Sequence, residues 1–320
     1  MKIRSKGITR RQALRLGAGM GAGFLFSHTP LLADTASSGP ASGTARIITK
    51  AIPSSGETLP VIGVGTARRF NVGESDADRA RIRQVLQLLP RLGGRVVDTA
   101  PSYGTAETVI GDLVADLGNR DQLFIATKVR QQTRSAAMAE IEQSFQRLRT
   151  DRIDLLYIHN LVGWRQVLPL LRELKAEGRI RYLGISTHTD AQYDALAEIM
   201  EREELDAIQV DYAIDNRSAE DRMLPLARDR GIGVFTNLPF GRGRVFQAFR
   251  DQPIPEWAAA YGISSWAQFA LMFVASHPAV TVAIPGTATP DYLRDNIGTA
   301  HGSLPDASTR QRMAALVDRA

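Results

Sequence analysis

The chain has 320 residues, of which 44% are apolar and 23% charged, as is usual for a globular domain large enough to form a barrel. The net charge of +5 does not indicate a nucleic-acid-binding protein, because the first 33 residues hold six basic residues and no acid, and the other 33 basic residues are balanced by 34 acidic ones. The absence of cysteine excludes disulfide bonds, thiolate catalysis and cysteine-ligated zinc.

The beginning of the chain has the order of an export signal. The pair Arg10 and Arg11 precedes an apolar run at 16–26, and small residues follow. The run is shorter than the ~20 residues of a transmembrane helix, so we expect no stable membrane insertion. The sequence predicts a twin-arginine (Tat) signal peptide and the start of a small-residue linker in 1–36, then a flexible linker in 37–46. It thereby predicts passage through the Tat export machinery to the periplasm or another exported location. A chance arginine pair on an amphipathic helix is the alternative.

From residue 47 onward, short β-type runs alternate with segments of helical periodicity. A hairpin is predicted from Ile47–Ile52 and Glu57–Val61 around a Pro-Ser-Ser-Gly turn. Eight strands are predicted at Val61–Gly65, Arg95–Ala100, Leu123–Val129, Ile153–His159, Tyr182–Ser186, Ala207–Tyr212, Gly233–Leu238 and Val280–Pro285. Helices are predicted between them, for example at Ala80–Leu92, Met138–Leu148, Val167–Glu177 and Ala191–Glu203, with a last one in Pro305–Ala320. The helix stops are expected at Gly118, Gly178 and Gly231.

The pattern predicts an α/β fold, a (β/α)8 TIM barrel preceded by a short β-hairpin, in one domain at 47–320. Several strands, such as Leu155–Ile158, are continuously apolar, which is typical of parallel strands buried on both faces. Eight strand–helix units in about 250 residues favour a closed barrel. A doubly wound open sheet is the alternative, but it would need a glycine-rich loop after its first strand, and Val64–Arg68 is not one.

Polar residues are found at the ends of three consecutive predicted strands. Asp98 ends the second strand, with Tyr103 shortly after it, Lys128 ends the third and His159 ends the fourth. Active sites of such barrels lie at the C-terminal ends of the strands, so we expect these four side chains to converge. Each alone would more often be a turn, packing or core residue, but the joint pattern indicates catalysis.

These residue types fit proton transfer. Lys128 ends an apolar strand, so its ammonium group needs a partner, and Asp98 is the natural one. The phenol of Tyr103 has an ordinary pKa near 10, which a nearby ammonium group lowers. A neutral His159 can donate a hydrogen bond to a carbonyl group. The sequence predicts that Tyr103 donates a proton to a carbonyl oxygen as a hydride reaches the carbon.

Over about residues 47–300, the sequence resembles the aldo/keto reductase superfamily. The resemblance rests on the segments Asp98–Gly104 with Glu107, Ala126–Lys128, Asp154–His159, Gly178–Ser186 and Pro285–Thr287 with Asn296. It implies an NAD(P)-dependent oxidoreductase that interconverts a carbonyl (aldehyde, ketone or sugar) and an alcohol. Tyr103 would be the general acid/base, Lys128 and Asp98 would tune it, and His159 would orient the substrate.

The resemblance further implies a nicotinamide cofactor bound in extended form, with NADP(H) favoured over NAD(H). Ser186 and Gln209 match the positions that hold the nicotinamide amide. The other implied cofactor contacts are Thr66, Asn237, Pro239, Gly241, Arg242, Gly286, Thr287, Arg294 and Asn296.

The chain departs from the family pattern at three places. Thr187 follows Ser186 where many relatives have asparagine. Asn237 occupies the position of the aromatic residue that stacks on the nicotinamide ring. Gly286 and Tyr292 replace basic residues that many relatives use for the 2′-phosphate, a role that Arg294 would take here.

The expected partner is a small carbonyl or alcohol substrate, with Phe70 and Trp164 as candidate residues of its pocket. Two other functions compete with this one. A non-catalytic barrel could keep the cofactor site as a sensor. A metal-dependent hydrolase would need His, Asp or Glu ligands at strand ends, and Asp98 and His159 come without a paired histidine motif, so no metal is predicted.

Overall fold

The computed structural model describes residues 47–319, so the predicted signal peptide and linker lie outside the described residues. The strands are β1 (Thr49–Ala51), β2 (Thr58–Pro60), β3 (Val64–Gly65), β4 (Val96–Asp98), β5 (Phe124–Val129), β6 (Ile153–His159), β7 (Ile180–Ser186), β8 (Ala207–Asp211), β9 (Gly233–Asn237) and β10 (Val280–Ala283). The α-helices are α1 (Asp76–Arg91), α2 (Ala106–Leu117), α3 (Arg134–Leu148), α4 (Trp164–Ala176), α5 (Tyr193–Arg202), α6 (Met223–Asp229), α7 (Arg244–Ala248), α8 (Trp266–Ser276), α9 (Pro290–Gly298) and α10 (Ala307–Val317).

Strands β3 to β10 form one parallel sheet in which each strand pairs with the next along the chain. The sheet closes on itself because backbone hydrogen bonds join its first and last strands. Gly63 N donates to Ala283 O at 2.9 Å, and Gly65 N donates to Pro285 O at 2.9 Å. The predicted (β/α)8 barrel is therefore confirmed, and its C-terminal strand ends form one rim, which we call the mouth.

The predicted hairpin is also confirmed, with β1 and β2 antiparallel. Two of its buried side chains, Ile52 and Leu59, belong to the cluster that fills the barrel interior. The ammonium group of Lys50 donates to the carbonyl oxygens of Ala275, His277 and Val280 at 2.7, 2.7 and 2.8 Å. These bonds fix the hairpin against α8 and β10, at the end of the barrel opposite the mouth.

Side chains, not solvent, fill the barrel. Phe124 stacks on Phe235 with ring centroids 6.3 Å apart, and the ring of Tyr157 meets Phe235 edge-on at 6.1 Å. All three are fully buried. Tyr157 is the register partner of Lys128 and Phe124 begins β5, so these rings fill the barrel from the level of Lys128 toward the end opposite the mouth.

The helices begin and end where the side chains dictate. Ser75, Thr133, Ser265 and Asp306 accept hydrogen bonds from the first turns of α1, α3, α8 and α10. The predicted stops Gly118, Gly178 and Gly231 all have positive φ, at 61°, 76° and 66°. Glycine adopts this left-handed conformation without a steric penalty, which is why helices end there.

Helices α2 and α3 approach each other closely on the outside of β5. The buried carboxyl group of Glu107 on α2 accepts a hydrogen bond from Thr127 at 2.7 Å and, on α3, from Ser144 at 3.3 Å. Burial raises its pKa against the opposing effect of these hydrogen bonds. One turn later Gly111 faces the backbone of α3, where a Cβ would overlap the carbonyl oxygen of Arg147. The contact fixes β5, the strand that holds Lys128.

We predict that Gly111→Ala lowers the free energy of unfolding by about 1–3 kcal/mol, because backbone cannot rotate away as a side chain can. Thermal denaturation should show a Tm lower by about 2–4 °C for each kcal/mol lost. Gln146→Ala, an exposed change on α3, serves as the control and should leave the Tm nearly unchanged. A Gly111→Ala protein as stable as the control variant would contradict the close approach.

Candidate active site

The structure brings the four predicted catalytic residues together at the mouth. Asp98, Lys128 and His159 are placed by β4, β5 and β6, which are neighbours in the barrel. Tyr103 lies in the loop between β4 and α2, and its ring centroid is 6.3 Å from that of His159. One phenol, one ammonium, one carboxylate and one imidazole thus share a single site.

The centre of the site is a buried ion pair. Lys128 Nζ donates to both carboxylate oxygens of Asp98, at 2.9 and 2.8 Å, and to the carbonyl oxygen of Thr99 at 2.9 Å. Lys128 is 1% and Asp98 5% exposed. Burial alone would lower the pKa of Lys128, but Asp98 and Tyr103 outweigh it and hold that pKa above its usual value. The ammonium group is therefore charged at neutral pH.

The phenol of Tyr103 lies beside this pair, with Lys128 Nζ 5.3 Å from its ring centroid. Burial raises the pKa of Tyr103, Lys128 lowers it and Asp98 raises it, and the net direction is upward. Lys128 does lower the pKa of Tyr103, as expected, but the expectation of a lowered pKa overall is wrong for the protein on its own. Burial disfavours the phenolate more than one ammonium group favours it, because that ammonium group is itself neutralised by Asp98.

His159 is neutral at physiological pH. Burial, followed by the positive charges of Lys128, Arg130 and His188, lowers its pKa to about 3. Its Nδ1 is buried and has no hydrogen-bond partner among the described residues. An uncharged imidazole can donate a hydrogen bond to a carbonyl oxygen without competing with Lys128 for a negative charge.

The loop that holds Tyr103 is fixed by the loop after β3. The side-chain oxygen of Asn71 accepts hydrogen bonds from the backbone N and the hydroxyl of Thr105, at 3.1 and 3.2 Å. Gly104 has a positive φ of 66°, and a Cβ there would overlap the carboxamide of Asn71. Glycine at 104 is thus required both by the backbone conformation and by the space available.

Left-handed backbone conformations are concentrated at the mouth. Among residues 47–319, six non-glycine residues have positive φ, and five of them follow barrel strands: Arg68, Asn160, Leu161, Leu238 and Arg242. Such conformations cost energy and persist where the surrounding structure enforces them, which is frequent at functional sites. Two of the five directly follow His159.

The positions predicted to hold a nicotinamide amide lie next to the ion pair. Ser186 and Gln209 are register partners on β7 and β8, and both are buried. Gln209 Nε2 donates to Asp98 Oδ1 at 2.8 Å, a bond across the barrel that the sequence did not reveal. The hydroxyl of Ser186 makes only a 3.5 Å bond to Ile158 O. A weakly engaged hydroxyl beside a carboxamide fits the donor and acceptor needs of a nicotinamide amide.

Asn237 stands where the resemblance implies an aromatic residue, and its side chain makes one hydrogen bond in the described residues. Its side-chain amide donates to Thr187 O at 2.8 Å, while its Oδ1 is buried without a hydrogen-bond partner among the described residues. Thr187 itself is fully buried, and its hydroxyl donates to Gln192 at 2.7 Å. Asn237 thus uses its donor to hold the backbone after Ser186 and leaves its acceptor oxygen without a partner among the described residues.

The other predicted cofactor positions lie in three loops at the mouth. The hydroxyl of Thr66 donates to the carbonyl oxygen of Asp98 at 3.0 Å, which joins the ends of β3 and β4. Pro239, Gly241 and Arg242 follow β9, and Arg242 is exposed with φ 57°. The loop after β10 and helix α9 contain the remaining four: Gly286, Thr287, Arg294 and Asn296. Whether these residues contact a cofactor stays a prediction.

The two predicted pocket residues differ in position. Trp164 is half-buried at the first position of α4, with the guanidinium of Arg165 4.4 Å from its ring centroid. Phe70 is fully buried in the core between the barrel and its helices. We therefore correct the prediction for Phe70: its side chain is fully buried in the core cluster and does not form the wall of an open pocket.

A cavity of about 710 Å³ lies at the opposite end of the barrel. Its acid Asp206 is already bound by Lys175 at 2.6 Å and by the backbone N of Leu183 at 3.0 Å. Asp206, the buried acid of this cavity, is thus already engaged in structural bonds. In the part of the chain that the structure describes, no three His, Cys, Asp or Glu residues are grouped as metal ligands would be, and none of the helices there is long and apolar enough to span a membrane.

Comparison with known proteins identifies the family. A sequence model of the aldo/keto reductase family matches residues 61–316, and the chain belongs to this family. The chain is 26% identical to an NADH-specific methylglyoxal reductase of Escherichia coli, with 82% of this chain and 97% of the relative covered. It is 29% identical to the methylglyoxal reductase YeaE of Escherichia coli, with 85% and 94% covered.

Solved structures agree with this assignment. An aldo/keto reductase from Klebsiella pneumoniae in complex with NADP and acetate matches with a TM-score of 0.68 and 25% identity, over 82% of this chain and 92% of that one. The holo form of the aldo-keto reductase AKR11C1 from Bacillus halodurans matches in fold with a TM-score of 0.70 at 23% identity, over 85% and 96%.

We predict that His159 makes the folded protein less stable in acid. Its pKa is about 3 in the folded chain and 6.5 when exposed, so between these values the unfolded chain binds a proton that the folded chain excludes. Stability is therefore lost as the pH falls from 6.5, by at most about 1.4 kcal/mol per pH unit for one group. Chemical denaturation at pH 7 and 4.5 should show a smaller loss for His159→Gln than for the unaltered protein.

His277, whose pKa burial lowers to about 4, provides an internal comparison because it is far from the mouth and is retained in the variant. His277→Gln should reduce the acid sensitivity independently, and the two effects should add. Equal pH dependence in the unaltered protein and His159→Gln would show that His159 titrates normally.

Proposed function

We propose that this member of the aldo/keto reductase family is an NAD(P)(H)-dependent oxidoreductase that interconverts a carbonyl compound and an alcohol, with Tyr103 as its general acid/base. The observation that supports this most is the fully engaged Asp98–Lys128 ion pair beside the Tyr103 ring, with a neutral His159 opposite. A non-catalytic role is the second candidate, and no feature of the site favours it, since all four side chains are present and converge.

Each residue has a distinct task in this proposal. The cofactor, when bound, supplies or accepts the hydride. Tyr103 Oη gives its proton to the carbonyl oxygen during reduction and takes it back during oxidation. The positive charge of Lys128 stabilises the phenolate that remains, and Asp98 keeps Lys128 in place. His159 donates a hydrogen bond to the same oxygen and so fixes the orientation of the carbonyl.

We propose that the protein prefers NADP(H) to NAD(H) as its cofactor. Ser186 and Gln209 would hold the nicotinamide amide, and the orphaned acceptor of Asn237 lies close to them. Arg242 after β9 and Arg294 on α9 are exposed and have no ion pair among those the structure describes, so either can meet a phosphate. The relatives include both types, since one solved structure holds NADP and one relative is named as NADH-specific.

The substrate is proposed to be a small aldehyde, ketone or sugar. Two relatives are named methylglyoxal reductases, so methylglyoxal is a reasonable first compound to assay. Trp164 at the rim offers an apolar or sugar-stacking surface.

We further propose that the protein is exported by the Tat route, on the strength of Arg10 and Arg11 and the apolar run after them. Because that route moves folded proteins, the barrel would fold around its cofactor before export. A cofactor carried in this way must dissociate slowly, and it would raise the thermal stability of the folded protein.

We predict that Tyr103→Phe lowers kcat by at least about 100-fold, the typical contribution of a general acid, while cofactor binding is kept. Steady-state reduction of methylglyoxal with NADPH and NADH measures the first effect, and fluorescence titration with each cofactor measures the second. NADPH should bind more tightly than NADH to both proteins. Near-normal turnover of Tyr103→Phe would remove Tyr103 from the mechanism.

For the export proposal, we predict that the double change Arg10→Lys with Arg11→Lys retains the precursor inside the cell, since lysines keep the charge but not the paired guanidinium groups. Fractionation and immunoblotting would locate the protein, and mass spectrometry of the exported protein should find bound nucleotide. Changing Lys2 and Lys6 to arginine is a control that should not affect export. Unaltered export of the double variant would refute the Tat assignment.

A further inference from the structure

Arg130 is an exposed cation at the mouth, two residues after Lys128. The carboxylate of Glu140 on α3 meets this loop, but it accepts from the backbone N of Arg130 at 2.6 Å and from the side chain of Gln131 at 2.9 Å. Glu140 therefore fixes the loop and leaves the guanidinium of Arg130 without an ion pair among those described. A fixed backbone with an unpaired cation is a suitable arrangement for binding an anion.

The loop of Arg130 is packed directly against the loop that follows His159. Gly163 in the second loop has a left-handed φ of 63°, and a Cβ there would overlap Gln131 O and lie 2.8 Å from the Cα of Gln132. The two loops thus touch backbone to backbone. This contact, together with the left-handed Asn160, holds Arg130 close to the catalytic imidazole.

The positive charge of Arg130 acts on two histidines near this contact, His159 and His188. Burial is the main cause of the lowered pKa of His159, and Arg130 is one of the cations that lower it further. Burial also lowers the pKa of His188, and Arg242 and then Arg130 add to this effect. The Nδ1 of His188 lies 3.0 Å from the Oδ1 of Asn160. The guanidinium of Arg130 is therefore near enough to interact electrostatically with two imidazoles, one of which borders the position of the reacting carbonyl.

Arg130 is on a different side of the barrel from the loops expected to bind the cofactor phosphates. Those loops follow β9 and β10, which adjoin β3 on closure, whereas Arg130 follows β5. The loop of Arg130 adjoins the loop after His159, so an anion bound there lies beside the position of the reacting carbonyl and is assigned to the substrate.

We propose that Arg130 forms an anion-binding subsite and that the enzyme prefers carbonyl substrates that carry a carboxylate a few atoms from the carbonyl group. This proposal rests on the proposed function. The carbonyl oxygen lies between Tyr103 and His159, and the carboxylate of the same molecule accepts hydrogen bonds from the guanidinium at the rim, with Trp164 beside the connecting atoms. The planar guanidinium can bind a carboxylate through two hydrogen bonds, which fixes both ends of the substrate.

The test compares two aldehydes of similar shape, 4-carboxybenzaldehyde and its neutral methyl ester, methyl 4-formylbenzoate, reduced with NADPH. Arg130→Gln should lower kcat/KM for the acid by about 10- to 100-fold, as expected for loss of a hydrogen-bonded charge pair, and change that for the ester by less than about threefold. Arg130→Lys should recover part of the loss for the acid. Arg91→Gln, the same change at the exposed end of α1 away from the mouth, should affect neither.

Calorimetric titration with the alcohol products separates this proposal from the proposed function, because it needs no turnover. With NADP present, 4-(hydroxymethyl)benzoate should bind the unaltered protein more tightly than its methyl ester does, and Arg130→Gln should remove that advantage. If this preference is found but neither aldehyde is reduced, the subsite stands and the proposed function fails. An equal effect of Arg130→Gln on acid and ester, or no preference for the acid in the unaltered protein, overturns the subsite.

Discussion

The buried bond between Lys128 and Asp98 is the interaction on which the mouth of this barrel depends. An ammonium group that is only 1% exposed needs hydrogen-bond acceptors to offset its lost hydration. Lys128 has three of them, the two carboxylate oxygens of Asp98 and the carbonyl oxygen of Thr99. Removal of Asp98 would leave an unpaired buried cation, at a cost of about 3–5 kcal/mol. The pair also orders its surroundings, because Gln209 reaches across the barrel to donate to the same carboxylate. Three strands, β4, β5 and β8, are thereby joined by a group that the proposed chemistry also needs.

The rest of the fold can be understood as support for that pair. Aromatic side chains fill the barrel below it, and the hairpin, fixed by Lys50, covers the far end. Individual strands are held by equally specific contacts. Glu107 on α2 accepts a hydrogen bond from Thr127 on β5, which is adjacent to Lys128. A change far from the mouth, such as Gly111→Ala, is therefore expected to act on the site through the position of β5.

The sequence predicted the fold and the four central residues because both follow from local patterns. Apolar runs mark strands buried on both faces, and a polar residue that ends such a run must lie at the rim of a closed barrel. Contacts between residues distant in sequence were not predictable in this way. The bond from Gln209 to Asp98 depends on which side chains face each other across the barrel. Phe70 was placed in a pocket because an aromatic residue after a strand has the same sequence signature whether it faces solvent or core. The net pKa of Tyr103 was predicted in the wrong direction because burial, which decides it, cannot be read from residue type.

The raised pKa of Tyr103 is compatible with the proposed chemistry. A general acid must hold its proton at the working pH and release it only as charge develops on the substrate oxygen. In the protein on its own, desolvation keeps Tyr103 protonated, while Lys128, already bound to Asp98, lowers the pKa too little to ionise it. The ammonium group is thus of greatest use after the proton has moved, when a phenolate is present to interact with it. An interaction that is stronger in the transition state than before it is the kind that accelerates a reaction. By this reasoning Lys128 need not prepare the phenolate in advance, and the raised pKa of Tyr103 suits a residue whose first task is to donate.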